Sequence, residues 1–305
     1  MEARSRSKRN RPKHVPNRYF AGRQLPNDDE LDRAAQILNG AGEVAILAGR
    51  GALGAHEELK ETADLLAAPV AKALLGKAVL ADSDPYTTGG IGILGTAPSR
   101  AIVEKCDALL IVRSTFPYAE YYTKPDSARG VQIDSDPQRI GLRFPVEAGL
   151  VGDAKETLRL LNSRLTRKPD RSFLEQAQSA MEDWRGNMAL MENDENAPLK
   201  PAAVVRAFGR RIAQDGVMVA DSGQNTERAA RHIDLGIGNQ FSVSGALVSM
   251  ASGLIQSCPS NKLASSHTPQ KVRNPDELKQ STYLRPAAEP KLCNQQISTA
   301  VRLQT

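Results

Sequence analysis

At 305 residues, 40% of them apolar and 25% charged, the chain is long enough for two ordinary domains and has the composition of a globular protein. Its formal net charge of +5 is concentrated at the ends, in Arg4, Arg6, Lys8, Arg9, Arg11 and Lys13 and again in Lys262, Lys271, Arg273 and Lys279. No aromatics are interleaved to stack bases, so these read as solvated basic arms and argue against a nucleic-acid partner.

Residues 1–26 are basic and proline-punctuated, as a linker or arm is. Asn27-Asp28-Asp29-Glu30 then opens a helix with acids in its first turn, and Leu31, Ala34, Ala35, Ile37 and Leu38 recur at helical spacing until Gly40 and Gly42. The apolar run 44–48 suits a buried strand. It passes directly into Gly49-x-Gly51-x-x-Gly54 and a helical pattern over 56–66, the outline of a nucleotide-phosphate turn. A tight strand-to-helix turn without a ligand has the same outline. Residues 69–74 predict a second strand, 85–96 a long glycine-rich loop, 98–105 a helix, and 108–112, 130–134 and 148–151 three further strands, the last followed by Gly152-Asp153 and a helix over 154–161.

Strands alternating with helices through 27–165 predict an α/β domain: a parallel, Rossmann-like sheet with helices on both faces. Ligands of such sheets lie beyond the carboxyl ends of the strands, where Gly49 to Gly54, Lys72 to Leu75, Arg113, Asp134 to Asp136 and Gly152-Asp153 fall. An NAD site would place its ribose acid at the end of the second strand, and Ala73, Leu74 and Leu75 stand there instead, so an ordinary NAD dehydrogenase is disfavoured.

Residues 166–200 read as a charged linker with one helix over 173–191. From 201 an incomplete second α/β domain follows, expected to run to 254: a helix over 201–213 with Val204, Val205, Phe208 and Ile212 on one face, a strand over 217–220 ending in Asp221-Ser222-Gly223, and a helix over 225–231. Residues 255–305 are rich in Ser, Gln, Lys and Pro without sustained periodicity, and are expected to be disordered. Cys106, Cys258 and Cys293 are too few and scattered for a disulfide framework or a zinc site, and His14, His56, His232 and His267 share no ligand spacing and are expected at the surface. Neither a secretory h-region nor an apolar run of the ~18 residues that a membrane helix needs is found, so a cytoplasmic protein with no membrane partner is expected.

Five segments in order carry a resemblance: Lys72-Ala73-Leu74-Leu75-Gly76-Lys77; the stretch 85–96; Thr115-Phe116-Pro117-Tyr118; 129–137 with Arg139 to Arg143; and Gly149-Leu150-Val151-Gly152-Asp153. Over these the chain resembles the thiamine-diphosphate-dependent enzymes of the pyruvate oxidase and acetolactate synthase family. Such enzymes have an N-terminal pyrimidine-binding domain, a central domain and a C-terminal diphosphate-binding domain. The resemblance implies a central domain over 27–165 and only the beginning of the third domain over 201–254, a truncated enzyme; a shifted reading frame is one reading of the break after Leu254.

What the resemblance implies for sites follows motif by motif. Many family members hold FAD in the central domain. By motif, Gly49, Gly51, Gly54, Lys72, Ala73, Leu74, Leu75, Gly95, Thr96, Ala97, Pro98, Ser99 and Arg113 would line it, with Asp134 and Asp153 near its ADP half. Flavin-using relatives often carry Arg where Leu75 stands and a small residue where Arg113 stands, and some relatives have lost flavin altogether. In the third domain, Asp221, Ser222 and Gly223 resemble the loop that approaches the diphosphate of thiamine diphosphate, and Val248, Ser249 and Met250 the segment that wedges the cofactor into its bent form. The family's activating glutamate belongs to the N-terminal domain, and its Gly-Asp-Gly magnesium motif occurs nowhere in this sequence. No catalytic residue and no metal ligand is therefore assigned.

On this reading the chain is a fragment of a thiamine-diphosphate- and Mg2+-dependent enzyme acting on a 2-oxo acid, by pyruvate decarboxylation or oxidation or by acetolactate-synthase-like carboligation. It would be inactive alone, in a homo-oligomer or with a partner that supplies the missing domains. The alternative is a stand-alone FAD- or nucleotide-binding or interaction module.

Overall fold

A computed structural model describes residues 24–124, 126–193 and 198–245. The expected tail, and with it Val248, Ser249 and Met250, lies outside the described residues, as does most of the N-terminal arm. Helix α1 (Asp28–Gly40) starts where its sequence directs: the Asn27 side chain accepts from Glu30 N and the Glu30 carboxylate accepts from Asn27 N, a reciprocal capping box. All five of its predicted apolar positions, Leu31, Ala34, Ala35, Ile37 and Leu38, are buried.

Six strands form one parallel sheet: β1 (Val44–Ala48), β2 (Val70–Lys72), β3 (Thr87–Gly90), β4 (Ala108–Val112), β5 (Arg129–Asp134) and β6 (Ala148–Val151), in the order β3-β2-β1-β4-β5-β6. Both faces are covered, as an all-parallel sheet requires. On one face α1, α2 (His56–Leu65) and α4 (Ala154–Asn162) pack against Val44, Ile46, Leu110, Ile133 and Leu150. On the other, α3 (Ala97–Lys105) and Phe116, Tyr122 and Phe144 pack against Ala45, Leu47, Leu109 and Ile111.

One region differs from expectation, and one expected helix proves to be packed on the sheet. The glycine-rich loop contains strand β3, whose Thr87 and Thr88 are buried; Thr88 Oγ1 lies 2.8 Å from Ser99 Oγ, so the strand satisfies its polar side chains internally and shows no apolar run. The helix expected within the linker is α5 (Ser172–Glu192), which buries Phe173, Leu174, Ala177 and Met181, with Phe173 and Ala177 in the second-face cluster.

Beyond it, α6 (Pro201–Gly209), β7 (Val217–Val219), α7 (Gln224–His232) and β8 (Gln240–Ser242) form a small unit in which β7 and β8 pair in parallel. Its buried cluster of Ala220, Ala229, Ile233, Leu235, Phe241 and Val243 is capped by Leu74, Leu75 and Ala78 from the main sheet's domain. The helix expected over 201–213 ends at Gly209, and its predicted apolar face is only half used: Val205 of α6, and Ile212 beyond its end, pack on this cluster, while Val204 and Phe208 are exposed. His232 is not a surface residue as expected. It lies on the same face of α7 as Thr226 and Ala229, is buried, and its Nδ1 stands 2.8 Å from Glu192 Oε1 at the end of α5.

Candidate functional site

The predicted phosphate turn leaves β1 as a short 3-10 turn, Arg50–Ala52, before α2. Gly49 N donates to Val112 O at 2.9 Å and so extends the pairing of β1 with β4 by one residue. A Cβ on Gly49 would lie 2.3 Å from Arg113 O and 2.6 Å from Ser114 Cα; one on Gly51 would lie 2.6 Å from Arg113 Nε; one on Gly54 would meet nothing within 4 Å. The first two glycines are thus needed for the chain's own close approach. Arg113, the residue after β4, has φ +53°. Its Nη1 donates to Asp134 Oδ1 at 3.0 Å, at the end of β5, and also to Ser135 Oγ. Asp134 is almost fully buried, and the same Oδ1 accepts from Asp136 N at 3.0 Å.

The remaining central-domain candidates separate into three places. Gly95 to Ser99 form the join from β3 to α3: Gly95 lies flat on Gly90, Thr96 caps the helix by accepting from Ser99 N, Ala97 and Pro98 make its first turn, and Ser99 Oγ bonds to Thr88 O. Ala73 N donates to Ala48 O, and Leu74 and Leu75 turn toward the C-terminal unit. Asp153 caps α4 through Glu156 N, one residue beyond Gly152, whose N donates to Asp134 O at 2.9 Å.

Lys72 leads to a feature that sequence reasoning missed. It is fully buried at the end of β2, and its Nζ donates to Asp82 Oδ1 at 2.7 Å and Leu80 O at 3.0 Å. Lys77 Nζ donates to Asp82 Oδ2 at 2.8 Å and across to Ala230 O at 2.9 Å, while Leu235 N donates to Asp82 Oδ2 at 2.9 Å. Burial alone would raise the Asp82 carboxyl, but the two ammonium groups outweigh it and hold it at about 2; burial pushes the Lys72 ammonium down, against the pull of Asp82. Beside this triad, Lys72, Ala73, Leu74, Gly90, Gly95 and Ala230 help to line a cavity of about 20 Å³, room for one water. Arg231 closes the same side by donating to Gly95 O at 3.2 Å and Ile93 O at 3.0 Å. Asp82, one of two acids in the polar stretch 81–85, carries no sequence signal of such a role; only its two buried lysine partners reveal it.

The second candidate lies where β7 ends. Asp221, Ser222 and Gly223 make the turn into α7, with Gly223 at φ +132° as an N-cap that has no side chain to give, and Thr226 N donates to Asn225 Oδ1 at 3.1 Å. Thr226 Oγ1 donates back to Asp221 O and fixes the turn. Ser222 Oγ is buried without a hydrogen-bond partner among the described residues. A helix that starts on a glycine beside such a hydroxyl is suited to receive an anion. No group of three or more metal-ligating side chains occurs among the described residues.

Residues 31–161 match the family described as thiamine pyrophosphate enzyme, central domain. The chain carries that domain. Its relatives among thiamine pyrophosphate enzymes include the putative thiamine pyrophosphate-containing protein YdaP of Bacillus subtilis, 39% identical over 236 residues, which are 77% of this chain and 41% of the relative. The pyruvate oxidase of Lactiplantibacillus plantarum is 25% identical over 75% of this chain and 38% of its own length, and the acetolactate synthase isozyme 3 large subunit of Escherichia coli is 26% identical over 80% and 44%. The chain therefore spans about two-fifths of the length of these relatives. No helix among the described residues is long and apolar enough to cross a membrane.

Proposed function

We propose that this chain serves a thiamine-diphosphate- and Mg2+-dependent reaction on a 2-oxo acid, with the turn Asp221-Ser222-Gly223 receiving the cofactor's diphosphate. The observation that carries this reading is the turn itself: a glycine N-cap at the start of α7 beside the Ser222 hydroxyl, which has no hydrogen-bond partner among the described residues. The first-turn N–H groups would hold the diphosphate oxygens, and Ser222 Oγ would donate to one of them. Thiamine diphosphate, when bound, supplies the carbon nucleophile and electron sink for breaking the bond beside a 2-oxo group. The central domain's part is to hold the unit that carries this turn, through the Asp82 triad at Ala230 and Leu235 and the contacts of Leu74 and Leu75. Magnesium ligands and the activating acid would come from a further segment or subunit, in a cytoplasmic homo-oligomer or heteromer, so the described part turns over no 2-oxo acid by itself. The names of the relatives support this substrate class, with pyruvate the first candidate.

Isothermal titration of the full chain with thiamine diphosphate, and separately with inorganic pyrophosphate, tests the reading. Both ligands should give heat, and Ser222→Ala should weaken both about tenfold, as loss of one hydrogen bond to a charged group implies. Absence of heat from either ligand at millimolar concentration would return the domain to the binding- or interaction-module reading.

A further inference from the structure

We propose that Arg113 is a built-in plug of the sheet's nucleotide crevice, so that this central domain folds flavin-free. The claim concerns the central domain alone and stands or falls separately from diphosphate binding at Asp221. The strand order reverses between β1 and β4, and in sheets of this kind the ligand crevice opens at that reversal, beyond the carboxyl ends of the strands. The residues that flank it are Gly49 to Gly51 after β1 and Arg113 after β4.

Two parts of a dinucleotide site, a bare glycine and a strand-end acid, would meet there, and one side chain engages both. The backbone of Arg113 has φ +53°, in a region that favours glycine, and it is held there because Arg113 N donates to Ile133 O at 2.9 Å and Gly49 N to Val112 O. The stem of Arg113 crosses Gly51: a Cβ added to that glycine would lie 2.7 Å from Arg113 Cβ and 2.6 Å from its Nε. The bare glycine that would admit a pyrophosphate admits the arginine. The guanidinium then reaches Asp134, the acid at the carboxyl end of β5, at 3.0 Å. That carboxylate is paired and buried, with Oδ1 also taken by Asp136 N. The cavity beside Gly95 and Lys72, along the remaining predicted flavin path, has about 20 Å³, whereas a ligand site of even modest size needs roughly 300 Å³. The residues present do not fit FAD.

The test uses the full chain and two variants. The wild-type protein should show no visible flavin absorbance as purified and give no heat with FAD or with ADP. Arg113→Gly keeps the left-handed backbone and removes the plug, and Arg113→Asn does the same with a short side chain that tolerates this conformation. With folding checked by circular dichroism, both variants should bind ADP at least tenfold more tightly than wild type. Flavin on the purified wild-type chain, or stoichiometric FAD binding by it, overturns the proposal. So do folded variants as inert toward ADP as wild type, which would mean that something other than Arg113 closes the crevice. Unfolding of both variants overturns it too, because Arg113 would then be a pillar of the fold and not a plug.

Discussion

Two strand ends in this molecule look alike as sequence and differ as structure. At β1 an apolar strand runs into glycines and a helix; at β7 a strand runs into Asp221-Ser222-Gly223 and a helix. At the first, each bare glycine surface except that of Gly54 is covered by the chain itself, and the acid at the end of β5 is paired with Arg113. At the second, the helix starts on a glycine with no side-chain cap of its own, and a buried hydroxyl has no partner among the described residues. A strand-glycine-helix pattern specifies a turn that can hold an anion. Whether it does depends on which side chains from distant strands arrive first.

The Asp82 triad joins the C-terminal unit that carries the second end to the domain that carries the first, so breaking it should have the largest effect. Asp82→Ala would leave the ammonium groups of Lys72 and Lys77 buried without their counter-ion and should lower stability by about 3–5 kcal/mol, read from the urea midpoint. Cleavage by a dilute protease should move to the connection after α5, because Ala230 and Leu235 lose their anchor. An unchanged midpoint would show that the triad does not hold the C-terminal unit.

Packing at the closed end comes next. Gly49→Ala would place a methyl within 3 Å of three backbone atoms and should cost about 3 kcal/mol, whereas Gly54→Ala, five residues on, should stay within about 0.5 kcal/mol. Equal costs at the two positions in thermal melts would mean that the glycines serve the turn's conformation and not the contact with Arg113.

Acid should act through Asp82 as well, more weakly than its removal. Its folded-state pKa lies below the unfolded value, so its contribution is full above about pH 4 and is lost as pH falls through about 2; the shift is worth about 2 kcal/mol. Urea midpoints measured between pH 5 and pH 2 should fall less steeply in Asp82→Ala than in wild type. Parallel profiles would assign the acid sensitivity to other carboxylates.

Much of the fold was legible in the sequence for identifiable reasons. The apolar runs 44–48 and 108–112, bounded by glycine or polar residues, coincide with β1 and β4, because a strand covered on both faces is apolar at every position. Asn27 and Glu30 marked the start of α1 through a local cap. β3 was illegible because its buried threonines find partners in α3 and on β2, contacts that no local pattern announces. His232 was misplaced for a similar reason: its partner Glu192 lies 40 residues away.

The sequence by itself thus determined the parallel α/β sheet, its strand ends and the family of its central domain, because hydrophobic periodicity and backbone caps act between near neighbours in the chain. Only the tertiary structure decided what those strand ends do. Arg113 and Asp134, or Lys72, Asp82 and Leu235, meet through space across separate elements, and charges that are solvated and interchangeable along a chain become specific partners once water is excluded around them.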